Sequence, residues 1–232
     1  MRSLLALLLI LGCTPKASPE LNLVVAASVG PAANALAQKL DAKGVKVRVH
    51  AGASSLIARQ IVGGLPCDAV ILADDDWMDE LAKKNAIDSD SRRPFLGNEL
   101  VWVTPKGSKA QTDRKIALAD PEHVPAGKYA KAALIALGEW NEVAPKVMAA
   151  PDVRTALLWA ERAEVDSAII YASDARSSTR VEIRSRLKSE KPIIYPIAAC
   201  RSPNAAKLAA LLNESMSSEV FREFGFHVHE RT

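Results

Sequence analysis

Short apolar runs alternate with helix-like segments along most of this chain, and this alternation constrains the fold more than any other feature. The strand-like runs cover residues 21–27, 45–49, 69–73, 100–104, 116–118, 167–171 and 193–199. The helix-like segments cover residues 31–41, 54–62, 77–85, 126–137, 153–162, 204–216 and 219–224. Strands that alternate with helices predict an α/β architecture in which mixed, mostly parallel sheets are flanked by helices.

The composition is that of a globular protein with a full-sized core. The chain has 232 residues, of which 49% are hydrophobic and 25% charged. This length fits one large domain or two lobes of about 100 residues each. A polar, glycine-containing stretch at residues 105–111 follows the fourth strand, so we place a crossing between two lobes near residues 101–103. The strand at residues 193–199 is a candidate for the return crossing.

The N-terminus has the features of an export signal. Arg2 precedes an apolar run at residues 4–11, which is too short to span a bilayer. The sequence Ile-Leu-Gly-Cys that ends at Cys13 resembles the lipobox of bacterial lipoproteins, in which the Cys carries the lipid. We therefore expect a signal peptide at residues 1–12 and a lipid-anchored tether at residues 13–20. The alternative is an ordinary secretory signal cut a few residues later, for example after Ala17.

This interpretation places the protein in the periplasm or on the outer face of the cytoplasmic membrane, attached through a lipid on Cys13. The two remaining cysteines, Cys67 and Cys200, have neither a C-x-x-C spacing nor a partner His at zinc-site spacing. In an oxidising compartment they can form a disulfide, or each can be a buried single thiol. The sequence leaves both possibilities open.

The charge pattern argues against nucleic acid as a partner. The formal net charge is +3 and aromatic residues make up 5% of the chain. The most basic segment, residues 176–191, mixes its arginines and lysines with Glu182 and Glu190. A nucleic-acid groove needs a basic stripe and usually stacking aromatics, so this segment is better interpreted as a solvated face.

Four loops share a feature that indicates anion binding: each follows a predicted strand or loop and brings small or hydroxyl residues to the start of a helix. They are residues 27–29, 52–55, 124–127 and 151–153. The first turn of a helix offers unbonded N–H groups and the positive end of the helix dipole. Ser28 and Ser54 add hydroxyl donors, and Tyr171 adds a phenolic donor at the end of its strand. The pattern predicts an anion held by neutral donors.

Several segments, taken together, are similar to the periplasmic molybdate-binding proteins of the ModA family. They are residues 23–28, 54–61, 73–78, 97–98, 120–127, 152–157, 170–174 and 224–226. The stretch Asp-Pro-Glu-His-Val-Pro-Ala-Gly at residues 120–127 is the most specific of them. The resemblance extends over nearly all of the chain that follows the tether.

This resemblance implies a two-lobed periplasmic-binding-protein-like fold of type II, with the oxyanion in the cleft between the lobes. Lobe I would comprise residues 21–100 and 198–232, and lobe II residues 101–197. The implied molybdate-binding residues are Ser28, Ser54, Ala126, Val153 and Tyr171. Ala126 and Val153 contribute only a backbone N–H. Ser55 remains an alternative to Ser54, and Ala53 stands where some members of the family have a third Ser.

The implied function is to capture molybdate, and tungstate as well, and to deliver it to the permease and ATPase of an ABC importer. We expect a monomer with no cofactor, no catalytic residues and no metal other than the molybdenum of the ligand. A dianion loses a large hydration energy in a cleft, so many donors must replace water around it. A donor-only pocket disfavours hydrogen phosphate, which needs an acceptor, and size separates molybdate from sulfate.

Other functions have weaker signals. The segment Gly-Ala-Ser-Ser-Leu at residues 52–56 begins like the nucleophile elbow of a hydrolase, but it ends in Leu where that motif requires Gly. The acidic run at residues 74–76 suggests helix capping more than a divalent cation. His227 and His229 fit a surface pair more readily than a metal site. The remaining alternatives are a binding protein for another small anion, such as sulfate or an organic carboxylate, and a lipid-anchored oxyanion sensor.

Overall fold

The computed structural model describes residues 20–108 and 114–229. Its strands are β1 (Leu21–Ala26), β2 (Val47–Gly52), β3 (Ala69–Ile71), β4 (Ile87–Asn98), β5 (Leu100–Pro105), β6 (Ile116–Ala119), β7 (Val147–Ala150), β8 (Ser167–Tyr171), β9 (Val181–Leu187), β10 (Ile193–Cys200) and β11 (His227–Val228). Its helices are α1 (Gly30–Asp41), α2 (Ser54–Val62), α3 (Asp75–Lys83), α4 (Pro125–Ala136), α5 (Trp140–Val143), α6 (Val153–Glu161), α7 (Ala172–Arg176), α8 (Ala205–Leu212) and α9 (Ser215–Glu223). The predicted signal peptide, Cys13 and all of the tether except Glu20 lie outside the described residues.

The strands form two sheets, as the predicted two-lobed α/β fold requires. The first sheet has the order β11-β4-β10-β3-β1-β2, and the second has the order β7-β6-β8-β5-β9. Helices pack on both, and the buried apolar residues of β1, β5, β6 and β8 form the centre of the core. Both sheets are mixed. The mixed α/β architecture is confirmed.

Parallel pairing is less extensive than the sequence predicts. In the first sheet β1 pairs in parallel with β2 and β3, while β10 and β11 pair antiparallel with their neighbours. In the second sheet β6 pairs in parallel with β7 and β8, while β5 is antiparallel to both β8 and β9. The alternation of strands and helices breaks at β4–β5 and at β9–β10, where consecutive strands have no helix between them. Strand direction there does not follow from the local pattern.

The chain passes between the sheets at two places. β4 ends at Asn98 in the first sheet and β5 begins at Leu100 in the second, so Glu99 is the first crossing. The second crossing lies between β9 and β10, and β10 pairs with β4 from Ile193 onwards. Sheet pairing thus places residues 193–197 with the first sheet, whereas the predicted lobe boundary falls at residue 198. The two crossings are adjacent, because Ile193 pairs with Asn98.

Several elements differ from the sequence-based expectation, and β4 and β9 are the longest strands among them. β4 and β9 were not predicted, because their charged residues are exposed and leave no apolar run in the sequence. The helix expected at residues 204–216 ends at Leu212, and a new helix begins at Ser215. The predicted capping of α2 by Ser54 or Ser55 is wrong: Ala53 is the N-cap residue and no side chain caps this helix.

Cys67 and Cys200 form a disulfide, with their Cα atoms 5.7 Å apart. The bond joins the segment before β3 to the last residue of β10, across 133 residues of sequence. It resolves the alternative that the sequence left open. None of the helices in the two described ranges has the length and apolarity needed to cross a membrane.

Candidate functional site

The five residues predicted to bind the ligand line one small cavity between the two sheets. Ser28 and Ser54 follow β1 and β2 of the first sheet. In the second sheet, Tyr171 ends β8, and Ala126 and Val153 lie at the starts of helices that follow strands. The cavity leaves about 10 Å³ for the centres of water-sized molecules. A space of this size holds roughly one water-sized group. The site is therefore small and suits a compact ligand, not a sugar or a peptide.

Ser28 lies in a 3-10 turn, Ala27–Val29, between β1 and α1. Its side chain is buried, and its Oγ lies 3.0 Å from the hydroxyl of Tyr195. β1 is an inner strand that is apolar except for Asn22, so it fixes the position of this turn within the core. The serine hydroxyl is thereby held at the carboxyl end of the sheet, where α/β folds bind ligands.

Ser54 is the first residue of α2 and is 1% exposed. The backbone N–H of Ala73 donates to its Oγ at 3.0 Å. Since the Oγ accepts this bond, its own hydrogen is available to a group in the cavity. Ser55 is also buried, but it does not line the cavity.

Ala126 and Val153 lie at the N-termini of α4 and α6, and both are buried. Pro125 has no N–H, so Ala126 supplies the first free donor of its helix. Gly127 allows this helix to start directly against the end of β6, because a Cβ there would lie 2.0 Å from the carbonyl oxygen of Ala119. Asp152 caps α6 by accepting from the N–H of Thr155 at 2.8 Å.

Tyr171 is the last residue of β8 and is 1% exposed. Within the described residues its hydroxyl has no hydrogen-bond partner. Burial raises the pKa of Tyr171 well above its ordinary value, so the phenol stays protonated. A buried hydroxyl without a partner is unfavourable, and a ligand oxygen in the cavity would satisfy it.

Hydroxyl groups and helix N-termini supply the donors of the cavity, and neither Lys nor Arg is among its described lining residues. The carboxylate of Asp152 also belongs to the lining. Two further carboxylates, Asp74 and Asp174, lie nearby. Burial raises the pKa of Asp74 to about 6, although the N–H of Trp77 and the ammonium of Lys128 oppose the shift. Burial also raises the pKa of Asp174 to about 6, against the opposing charge of Arg154 at 3.2 Å.

The described part of the chain holds no group of three or more His, Cys, Asp or Glu side chains that could bind a metal ion. A larger cavity of about 610 Å³ lies beside the first crossing and is lined by residues that include Glu99, Arg176, Arg186 and His227. It is open to solvent and contains none of the five predicted residues. The small cavity is the better candidate, because it gathers convergent donors.

Sequence comparison gives the family. The family model described as bacterial extracellular solute-binding protein matches residues 21–227. The molybdate-binding protein ModA of Escherichia coli (strain K12) is 40% identical over 206 residues, which cover 80% of each chain. The chain belongs to the ModA family of extracellular solute-binding proteins. Membership in an extracellular family implies that this ModA-family chain is exported.

Structural comparison supports the same fold. A structure described as the substrate-binding domain of a molybdenum ABC transporter from Clostridium difficile has a TM-score of 0.70 and 28% identity, and the match covers 91% of this chain and 99% of that one. The periplasmic molybdate-binding protein of Azotobacter vinelandii has a TM-score of 0.79 at 19% identity, covering 90% of this chain and all of the other. This second likeness concerns the fold alone.

Two features of this ModA-family chain were missing from the sequence analysis. Tyr195 and Asn98 form hydrogen bonds behind the cavity. Asn98 belongs to one of the segments that carry the family resemblance, but we assigned it no role, and Tyr195 stands out only as a tyrosine in an apolar strand. Only the register of the folded strands brings these residues together.

The second missing feature is a set of contacts between α3 and α4, on opposite sides of the cavity. Asp74 caps α3 as expected, because it accepts from the N–H of Trp77 at 3.2 Å. The same acidic run also reaches the other lobe: Lys128 forms an ion pair with Asp76 and lies 3.8 Å from Asp74. Trp77 Nε1 donates to the carbonyl oxygen of His123 at 3.2 Å. These contacts hold the two sides together around the cavity.

Proposed function

We propose that this protein captures molybdate, and tungstate as well, in the cavity between its lobes. The observation that carries the proposal is the convergence of three hydroxyls and two helix N-termini on one small cavity without a lysine or arginine in its lining. Its similarity to the ModA protein of Escherichia coli, which is named for molybdate, gives the same ligand.

Hydrogen-bond chemistry supports a fully deprotonated tetrahedral dianion as the ligand. Hydroxyl and N–H donors converge from both sides, so each ligand oxygen can exchange its water for a fixed donor. Hydrogen phosphate carries a hydrogen that needs an acceptor. Ser28, Ser54 and Tyr171 act as donors in the cavity, so they are poor acceptors for that hydrogen. The Ser54 Oγ, for example, already accepts from the N–H of Ala73.

Size then favours molybdate and tungstate over sulfate. The oxygens of sulfate lie closer to its centre, so the donors of a pocket built for molybdate would be too far from some of them. Molybdate and tungstate have nearly the same size and charge, and the proposal includes both.

A side-by-side calorimetric titration with molybdate, tungstate and sulfate tests this function. We expect similar affinities for molybdate and tungstate and at least about a hundredfold weaker binding of sulfate, which corresponds to about 2.7 kcal/mol. Equal affinity for sulfate would refute the assignment of the ligand. It would favour the alternative of a binding protein for another small anion.

We further propose that the bound anion is delivered to the permease and ATPase of an ABC importer. Membership in a family of extracellular solute-binding proteins supports this partner. A lipid-anchored oxyanion sensor is the alternative. Loss of molybdate uptake on deletion of the gene would support transport, and unchanged uptake would favour sensing.

The oligomeric state and the lipid anchor are further proposals that rest on the sequence. The protein acts as a monomer of two lobes, in which β10 returns the chain to lobe I. Export ends with lipidation at Cys13. Substitution Cys13→Ser should release the protein from membranes, as measured by fractionation. Continued retention on the membrane would count against the anchor and would favour the ordinary secretory signal.

A further inference from the structure

Tyr195 lies behind the cavity and connects it to Asn98. It is the third residue of β10, is completely buried, and is not part of the cavity lining. Its hydroxyl lies 3.0 Å from Ser28 Oγ and 3.3 Å from Asn98 Nδ2. The three groups form a chain of hydrogen bonds that runs from the first crossing between the lobes to the predicted ligand site.

The orientation of the Asn98 amide is fixed by two backbone groups. The N–H of Glu99 donates to Asn98 Oδ1 at 2.9 Å, and the N–H of Ser173 donates to the same oxygen at 3.4 Å. A backbone N–H can only donate, so the amide oxygen must lie on this side. Asn98 Nδ2 therefore faces Tyr195, and it also donates to Ser173 Oγ at 2.8 Å.

The direction of the bond between Tyr195 and Ser28 follows from this orientation. Asn98 Nδ2 has only hydrogens to offer, so the phenolic oxygen of Tyr195 accepts from it. The phenolic hydrogen then needs an acceptor, and Ser28 Oγ lies 3.0 Å away. The hydroxyl of neighbouring Tyr171 does not compete for it, because it forms no hydrogen bond with a described residue. If Ser28 donated instead, the Tyr195 hydrogen would be buried without an acceptor, which is unfavourable.

We propose that Asn98 and Tyr195 are positioning residues that turn the hydroxyl hydrogen of Ser28 into the cavity, toward the bound oxyanion. This inference rests on the proposed function. Tyr195 donates to Ser28 Oγ from behind, so the hydrogen of Ser28 is directed to the ligand. The N–H of Ala73 has the same effect on Ser54.

The arrangement fixes the direction of the hydrogen bonds between the serines and a ligand. Both serine oxygens already accept a hydrogen bond from the protein, so both hydroxyls are poised to donate to a ligand. Burial raises the pKa of Tyr195 above its ordinary value, so this phenol keeps its hydrogen wherever the protein is folded. The direction in which the Ser28 hydroxyl donates is thus set by residues that do not line the cavity.

A double-mutant cycle tests the inference, with affinity for molybdate measured by calorimetry. Tyr195→Phe should weaken binding about tenfold in the wild-type background, because Ser28 loses the donor that orients it. In a Ser28→Ala background the same change should alter affinity by less than about twofold, since no hydroxyl is left to orient. In the matched Ser54→Ala background it should retain its full effect of about tenfold.

The outcomes separate this inference from the function on which it rests. Wild-type protein that fails to bind molybdate overturns the proposed function. Wild-type protein that binds, together with an equal loss from Tyr195→Phe in both serine backgrounds, overturns the positioning role, as does unchanged affinity of the Tyr195→Phe variant. A purely structural role would make the losses additive.

Thermal unfolding without ligand verifies that each variant is folded. If the Tyr195→Phe variant does not fold, Asn98→Ala replaces it in the cycle. This change removes the donor that directs the phenolic hydrogen, and we expect a loss of about threefold that disappears in the Ser28→Ala background. A loss of the same size in both backgrounds would contradict the inference.

Discussion

At the scale of single residues, the candidate cavity is lined by three residues with hydroxyl groups, Ser28, Ser54 and Tyr171. All three side chains are buried, and the Tyr171 hydroxyl has no partner among the described residues. A buried donor gains its hydrogen bond only when an acceptor enters the cavity. These residues therefore favour a ligand whose surface consists of acceptors.

Removing one of these donors should weaken binding while leaving the fold intact. Ser28→Ala and Tyr171→Phe should each reduce the binding free energy for molybdate by about 1–3 kcal/mol, as measured by calorimetry. Ser55→Ala is the matched control, because Ser55 is buried beside Ser54 without lining the cavity. Unchanged affinity in both test variants would mean that the ligand binds elsewhere.

Asp174 gives the protein a predictable dependence of stability on pH. Burial raises the pKa of Asp174 from 3.8 to about 6, so the folded protein holds this proton more tightly than the unfolded chain does. The resulting stabilisation is complete below about pH 3.8 and is lost as the pH rises through about 6. The loss amounts to about 3 kcal/mol.

The variant Asp174→Asn isolates this contribution, because it does not titrate. The unfolding free energy of the wild type minus that of the variant should fall by about 2 kcal/mol between pH 4 and pH 7, as measured by urea denaturation. A difference that stays constant over this range, or that increases, would show that Asp174 is ionised normally in the folded state.

At the scale of elements, the site depends on helices that start immediately after strands. Each of α4 and α6 begins a few residues beyond the end of a strand, at Pro125 and Val153. Their first N–H groups therefore point at the same edge of the second sheet. The tightest junction is at Gly127, where the helix backbone approaches the end of β6.

Gly127→Ala should displace the start of α4 and weaken ligand binding. An added Cβ would lie 2.0 Å from the carbonyl oxygen of Ala119, so the helix must move away from β6. We expect at least about a tenfold loss of affinity for molybdate, together with a lower unfolding temperature.

Gly138→Ala is the control for this substitution. Gly138 follows the same helix with a φ of +75° and open space around its Cβ position. Its replacement should lower stability by about 1 kcal/mol without changing affinity. Equal affinity of the two variants would contradict the role of the close helix start.

The sequence predicts the buried elements of the fold well and the exposed ones poorly. β8 has the predicted bounds, because all five of its residues are buried and form an apolar run. β9 lies at the edge of its sheet, and every second residue inside it is charged and exposed to solvent. It therefore contains no such apolar run. The antiparallel direction of β5 and β10 depends on pairing between distant strands, which local patterns do not encode.

The candidate site was predictable to a similar degree. The helix starts and hydroxyls are local features, and the family resemblance selected Ser28, Ser54, Ala126, Val153 and Tyr171. Local sequence contains no information on the residues behind them. For example, Tyr195 reaches Ser28 across 167 residues of sequence.

At the scale of the whole molecule, contacts across the cavity stabilise the closed arrangement of the lobes. Lys128 of α4 reaches Asp74 and Asp76 at the start of α3, and Trp77 bonds to the carbonyl oxygen of His123. A ligand that binds between two lobes shifts their equilibrium toward closure. These contacts add to that shift and should slow ligand release.

Lys128→Met should therefore speed the release of molybdate. Partly exposed ion pairs contribute about 0–1 kcal/mol, so we expect up to about a fivefold faster dissociation, measured by stopped-flow fluorescence. The effect should shrink at high salt. The control is Lys131→Met, because Lys131 lies on the same helix but pairs with Glu122 on its own side of the cavity. Equal dissociation rates for both variants would refute the role of this contact.

The most direct measurement is a crystal structure of the protein with molybdate, in which anomalous scattering locates the molybdenum. We expect the anion in the small cavity, held by the hydroxyls of Ser28, Ser54 and Tyr171 and by the N–H groups of Ala126 and Val153, with no lysine or arginine in contact. Molybdenum bound instead in the open cavity beside Arg176 and Arg186, or paired with any cationic side chain, would contradict this expectation.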